Sequence, residues 1–119
     1  MAYLVACLST GKGTWGHVGR LITDGQWEKI FLITNKFGQE NFTNNKGAEM
    51  IVVESQGLGI AEMRDIIESS LKGKIKDTEV SLNLVSGSGK EHMAIVSAML
   101  KLGLGIRFIA LTKDGIKEV

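Results

Sequence analysis

Short apolar segments alternate with helical segments along this chain, and this alternation is what most constrains its fold. Residues 3–8 and 29–34 are mostly apolar runs of strand length, as expected for strands buried on both faces. Strands are predicted at residues 3–8, 29–34, 49–54, 78–85, 106–111 and 116–119, and helices at residues 15–23, 59–71 and 90–102. This order favours right-handed βαβ units and a largely parallel sheet covered on both faces.

We therefore predict an α/β fold of the Rossmann-like type. It is a three-layer sandwich around a mostly parallel six-stranded sheet, with the strand order 3-2-1-4-5-6. Residues 113–115 form a tight-hairpin signal, so the last strand should pair antiparallel with the fifth. The segment 35–47 has no clear period, and we expect an ordered loop or a short irregular helix anchored by Phe37 and Phe42.

The composition is that of one globular domain in a reducing compartment. The 119 residues suffice for one hydrophobic core, and we expect a single domain over residues 1–119. The formal net charge of +1 gives no general attraction to DNA or to an acidic membrane, so no direct binding to duplex DNA is expected. No apolar run approaches the ~20 residues that span a bilayer, and the N-terminus has no signal-peptide pattern. The single cysteine, Cys7, lies in an apolar run, which predicts a buried thiol in a cytoplasmic protein.

Two glycine-rich turns follow predicted strands and precede predicted helices. The first turn contains Ser9, Thr10, Gly11, Lys12, Gly13 and Thr14, and the second contains Ser86, Gly87, Ser88, Gly89 and Lys90. In the predicted strand order the first and fourth strands are neighbours, and ligands of such sheets lie beyond the carboxyl ends of the strands at this point. Bare backbone N–H groups at a helix start suit an anion. The sequence therefore predicts a phosphate site between the two turns, with Lys90 and Lys12 as point charges.

The two turns resemble two standard phosphate-binding motifs, the P-loop and the dinucleotide-binding pattern. A P-loop is excluded because Leu84 stands at its first glycine position and Glu91 replaces the hydroxyl that would bind magnesium. The dinucleotide pattern G-x-G-x-x-G is matched by Gly11, Gly13 and Gly16, but no acidic residue ends the second strand. A small NAD-binding Rossmann protein therefore stays open as an alternative, as does a regulatory domain for another nucleotide or small anion.

The first predicted helix carries residues with two interpretations. Thr14 is expected to cap its start, and Gly25 to end it in the left-handed conformation. Trp15 either packs on the sheet or stacks on a base. His17, like His92 after the second turn, either contacts a ligand or is a solvated or capping residue. Because neither histidine has metal-ligand spacing, we predict neither a metal site nor a resident cofactor.

The helix predicted at residues 90–102 is apolar on nearly all sides, with Ser97 and Lys101 as its polar interruptions after residue 92. A helix of this kind is buried on more than one side. In a domain of this size one side of the helix faces the sheet, and few residues of the same chain are left to cover the other side. We therefore hypothesise that this helix forms part of a twofold homodimer interface, with two copies of the second turn near the axis.

At this point the chain resembles a CARF domain, the Rossmann-like ligand-binding domain of CRISPR-associated proteins. The resemblance covers most of the chain and rests on residues 4–14, on residues 82–90 and on the apolar helix that follows. Members typically carry a strand that ends in Asn-x-Thr-Gly-Gly-Thr-Lys before an alanine-rich helix, and then a strand and an antiparallel hairpin. Here the second turn matches, but Asn83 lies one residue further from Lys90 than in that pattern.

The resemblance implies a homodimer that binds a cyclic oligoadenylate, such as cyclic tetra- or hexa-adenylate, across its twofold axis in antiviral signalling. Family members usually join this sensor to an effector domain, and a stand-alone form is expected here. Three roles remain: a ring nuclease, a binder that sequesters the messenger, or a sensor with a separate partner. For metal-independent cleavage the candidate catalytic residues are Ser9, Lys90 and His92, with His17 as a second candidate proton carrier.

Overall fold

The computed structural model describes residues 2–9 and 11–119, and these residues form six strands and four α-helices. The strands are β1 (Ala2–Leu8), β2 (Trp27–Thr34), β3 (Glu49–Val52), β4 (Glu79–Asn83), β5 (Gly105–Thr112) and β6 (Gly115–Glu118). The helices are α1 (Trp15–Asp24), α2 (Lys36–Asn41), α3 (Ile60–Leu71) and α4 (Gly89–Lys101). A single 3-10 turn, Lys12–Thr14, leads into α1. Among the helices of the described residues, none is long and apolar enough to cross a membrane.

The six strands form one sheet in the order β3-β2-β1-β4-β5-β6. Five of them run parallel, and β6 pairs antiparallel with β5. Val5 of the central strand β1 lies between Phe31 of β2 and Leu82 of β4. The predicted Rossmann-like α/β fold, its strand order and its C-terminal hairpin are therefore confirmed.

The core has two parts, one on each face of the sheet. Alternate residues of β1 serve the two faces, with Tyr3, Val5 and Cys7 on one and Leu4, Ala6 and Leu8 on the other. The first face is covered by α3 and α4, and the second by α1. Because β1 is buried on both faces, its continuous apolar run needs no polar alternation.

Both ends of α1 differ from their predicted form. The structure contradicts the prediction that Gly25 ends α1 in the left-handed conformation, since its φ is −85° and its ψ is 158°. A Cβ at this position would lie 2.5 Å from Nε1 of Trp27, so the indole ring leaves no space for a side chain. That indole donates a hydrogen bond of 2.8 Å to the Leu21 carbonyl, which also accepts the N–H of Gly25 at 3.1 Å. Thr14 does precede α1, but its side chain makes no capping hydrogen bond within the described chain.

The segment after β2 contains the short helix α2, in agreement with the prediction for residues 35–47. Asn35 caps it, because its side chain accepts the N–H of Gly38 at 2.8 Å. Gly38 is buried, and a Cβ there would lie 1.9 Å from Oγ1 of Thr34 and 3.3 Å from the carbonyl oxygen of Leu8. The helix therefore packs directly on the carboxyl ends of β1 and β2, where any side chain at position 38 would prevent the contact.

Candidate functional site

The two glycine-rich turns are in direct contact at the carboxyl edge of the sheet, and Ser9 makes the contact. Its backbone N–H donates to Oγ of Ser86 at 2.9 Å, and its own hydroxyl donates to the carboxylate of Glu91 at 3.0 Å. Ser9 and Ser86 are both buried. Residues that are 77 and 82 positions apart in the chain thus form one hydrogen-bonded junction between the ends of β1 and β4.

Glu91 is the centre of this junction, and sequence reasoning missed its role. Its buried carboxylate accepts from Ser9, from the backbone N–H of Ser88 at 2.8 Å and from the Ser88 hydroxyl at 3.2 Å. Ser88 in turn caps α4 by accepting the N–H of Glu91, which completes a capping box. The pattern Ser-x-x-Glu at residues 88–91 is the signal that identifies this box, but in the sequence Glu91 attracted notice only as a departure from the P-loop.

The second turn fits tightly against β1. Gly87 has φ +105°, a conformation that favours glycine, and a Cβ there would lie 2.6 Å from Sγ of Cys7. The same Cβ would lie 3.1 Å from both Oε1 of Glu91 and Nε2 of His92. Gly87 is therefore required by its backbone conformation and by its neighbours.

Cys7 lies beneath this turn as a structural residue. The thiol is free, and it is buried as predicted. Burial raises the pKa of the Cys7 thiol strongly, and the nearby charge of Glu91 raises the same pKa further. The thiol therefore stays protonated, so that Cys7 is not poised as a nucleophile.

The two histidines have protein partners of different kinds. Nε2 of His92 lies 2.7 Å from the carbonyl oxygen of Ser86, and because a carbonyl oxygen only accepts, this nitrogen is the donor. Nε2 of His17 instead accepts from the backbone N–H of Leu111 at 3.3 Å and lies 3.2 Å from Nδ2 of Asn83. His92 therefore lies at the second turn, whereas His17 connects α1 to β5.

Asn83 links the end of β4 to three other parts of the protein. Its Nδ2 donates to the carbonyl of Ile109 on β5 at 2.8 Å and also lies against His17. Its Oδ1 accepts the N–H of Val85 at 3.3 Å, just before the second turn. This contact turns the chain after residue 83, which explains why β4 ends there although the apolar pattern predicted a strand to residue 85.

The lysines of the two turns lie on the surface, and their side chains contact different parts of the protein. Lys90 is exposed, and its Nζ donates to the carbonyl of Ser55, after β3, at 3.0 Å. Lys12 is exposed as well, and its Nζ lies 5.9 Å from the ring centre of Trp15 and 5.7 Å from that of Phe37. Both cations are thus at the carboxyl edge of the sheet.

The glycines of the two turns can contribute only backbone groups to a ligand site. Gly11 has φ +99° and precedes the 3-10 turn, in which Gly13 is the exposed second residue. Thr10, which was predicted to bind ligand, lies outside the described residues. In the second turn Gly89 begins α4, so the N–H groups of Gly89 and Lys90 have no acceptor within the helix. These N–H groups and the positive end of the helix dipole favour an anion.

The first turn matches the dinucleotide-binding pattern in sequence, but its third glycine does not make the close helix–strand contact of that motif. In that motif the third glycine permits a close helix–strand contact. Among the described residues, a Cβ at Gly16 would meet no atom within 4 Å, and the same is true of Gly13. Gly16 instead lines a groove of about 540 Å³ between α1 and residues 41–46. The sequence match therefore has no structural counterpart at this position.

Within the described part of the chain, no three His, Cys, Asp or Glu side chains are grouped so that they could hold a metal ion. What the arrangement offers to an anion is the backbone N–H groups at the start of α4 and two surface lysines. No model of a known protein family matches the chain, and a comparison with curated proteins finds no relative.

Proposed function

We propose that this protein binds a phosphate-containing nucleotide at the junction of the two turns, and that the ligand is a cyclic oligoadenylate, as in the CARF domains that the sequence resembles. The observation that carries the proposal is the hydrogen-bonded junction of Ser9, Ser86 and Glu91. It holds two glycine-rich turns and the start of α4 together at the switch point of the sheet, where ligands of such folds bind. Cys7, buried and without a disulfide, fits the reducing cytoplasm that we propose as the location.

Binding is supported better than cleavage by the positions of the candidate catalytic residues. The Ser9 hydroxyl donates to Glu91, and Nε2 of His92 is directed to the Ser86 carbonyl, so both groups stabilise the junction itself. Lys90 extends to Ser55 instead. We therefore propose a sensor or a sequestering binder. Incubation with labelled cyclic tetra- and hexa-adenylate, followed by separation of products, tests this, since linear products would identify a ring nuclease.

Substitution of Lys90 should lower the affinity for the ligand, because it removes a positive charge from the proposed phosphate site. We expect Lys90→Ala to reduce affinity for cyclic tetra-adenylate about 10- to 100-fold, because a hydrogen bond to a charged group contributes roughly 1.5–3 kcal/mol. Titration calorimetry measures the change. Lys101→Ala is the matched control, since Lys101 is an exposed lysine at the other end of α4. Equal affinity in Lys90→Ala and the wild type would place the phosphate site elsewhere.

The outer side of α4 supports a symmetric site. Met93 is 61% exposed and Leu100 is 64% exposed, and with the half-buried Val96 they form an apolar stripe. His92 lies beside this stripe and contacts the second turn through Ser86. We propose that a second copy of the chain covers the stripe, because a twofold axis here brings two second turns together and gives a cyclic ligand matching donors on both sides.

The oligomeric state tests this part of the proposal. We expect a dimer at micromolar concentration by sedimentation, and a monomer for Leu100→Glu, because a buried unpaired charge opposes the interface. The neighbouring Lys101→Glu should stay dimeric, since Lys101 is not part of the stripe. A wild-type mass of one chain would contradict the proposed interface.

A further inference from the structure

Phe37 presents an exposed aromatic ring beside the first turn. Its ring centre lies 5.7 Å from that of Trp15 at an angle of 49°, so it packs against the tryptophan. The side chain is nevertheless 41% exposed, whereas Trp15 is 9% exposed and Phe42 is half-buried. Trp15 therefore packs in the core, which was one of its two predicted interpretations, and Phe37 is the most exposed ring of the three.

The position of Phe37 is held firmly. It lies on α2, which is fixed by the close contact of Gly38 with the ends of β1 and β2. Asn35 caps the helix, and the Glu54 carboxylate, after β3, accepts the N–H of Lys36 at 2.6 Å. A ring on such a support needs little ordering before it binds a ligand.

The ring is connected to the junction through a short series of contacts. The indole of Trp15 donates to the carbonyl of Ser9 at 2.8 Å, and Ser9 itself contacts Ser86. Phe37 packs on the other side of the same indole. The ammonium of Lys12 lies over the Phe37 ring, 5.7 Å from its centre, so that a phosphate paired with Lys12 brings the rest of its nucleotide next to this ring.

We propose that Phe37 is the stacking platform for a nucleobase whose phosphate is bound at the first turn, an inference that rests on the proposed nucleotide-binding function. Lys12 offers a positive charge to the phosphate, and once its ammonium pairs with that phosphate the exposed ring beneath it offers a flat apolar surface to the adjoining base. Because every base has a π-face, this contact selects nucleotides over other phosphorylated ligands. It does not by itself select one base over another.

The test uses cyclic tetra-adenylate in which 2-aminopurine replaces one adenine, because stacking on an aromatic ring quenches the fluorescence of 2-aminopurine. We expect Phe37→Ala and Phe37→Leu to lower affinity about 5- to 100-fold and to reduce the quenching on binding. Phe37→Trp should retain both, since it keeps a ring. Phe108→Ala is the control matched in residue type, because Phe108 is 42% exposed on β5.

The outcomes separate this inference from the function on which it rests. If the wild type binds the probe and Phe37→Leu binds it with equal affinity and equal quenching, the stacking role is wrong and the phosphate site stands. If the wild type does not bind the probe, both proposals are wrong. A melting temperature for each variant excludes unfolding as the cause of lost binding, and Phe37→Leu retains an apolar side chain should Phe37→Ala prove unstable.

Discussion

Gly87→Ala is expected to destabilise the protein by about 2–4 kcal/mol and to lower its melting temperature by on the order of 10 °C. Two causes act together. A positive φ of 105° is strained for any residue with a Cβ, and this Cβ would lie 2.6 Å from Sγ of Cys7. Sγ belongs to a fully buried side chain on the central strand, so it has little room to move. Calorimetric melting of the purified variant measures the effect.

Gly89→Ala is the matched control for this prediction. Gly89 lies two residues further along the same turn, but a Cβ there would meet no atom of the described residues within 4 Å, and its φ is not in the left-handed region. As the first residue of α4 it should accept alanine with a change of less than about 1 kcal/mol, and in the stabilising direction. If Gly87→Ala melts like Gly89→Ala, the second turn does not lie against Cys7 as described.

Glu91→Ala is expected to have a loss of similar size, about 2–4 kcal/mol in the free energy of unfolding. The substitution removes the acceptor of the Ser9 hydroxyl and of the Ser88 N–H, and with it half of the capping box of α4. Ser9 is buried, so its hydroxyl has little access to water as a replacement. Urea unfolding, followed by circular dichroism, should show a lower midpoint at an unchanged slope.

Glu91→Gln separates the shape of this side chain from its charge. The amide keeps an acceptor for Ser88, so the loss of stability should be less than half of that in Glu91→Ala. If a phosphate binds at the junction, removal of this negative charge should also strengthen binding of cyclic tetra-adenylate several-fold. If Glu91→Ala has the same urea midpoint as the wild type, the Glu91 carboxylate does not hold the two turns together.

The fold was predictable because its determinants are local in the sequence. The apolar run at residues 3–8 required a strand covered on both faces, and the alternation with helices required parallel pairing. The hairpin signal at residues 113–115 placed the antiparallel edge. Each of these inferences depends on periodicity and on turn residues, which neighbouring positions determine.

The candidate site was predictable in its location but not in its internal contacts. The strand order placed the first and second turns side by side, and they do touch. The role of Glu91 was missed because its partner Ser9 lies 82 positions away, and no local pattern indicates that hydrogen bond. Phe37 was expected to anchor its segment. The tertiary structure shows that its ring is the most exposed of the three in this cluster, because Trp15 is buried and Phe42 is half-buried.

The two glycine-rich turns were thus determined by the sequence, as was the edge of the sheet at which they lie, because glycine, hydroxyl and strand patterns act over a few residues. The tertiary structure decided which side chains join them. Glu91 caps α4 and binds Ser9, while Lys90 extends to Ser55. Gly25 adopts an extended conformation, and the ring of Trp27 leaves no space there for a side chain. The physical reason is common to all of these: buried hydrogen bonds and excluded volume depend on residues that meet only when distant segments pack together.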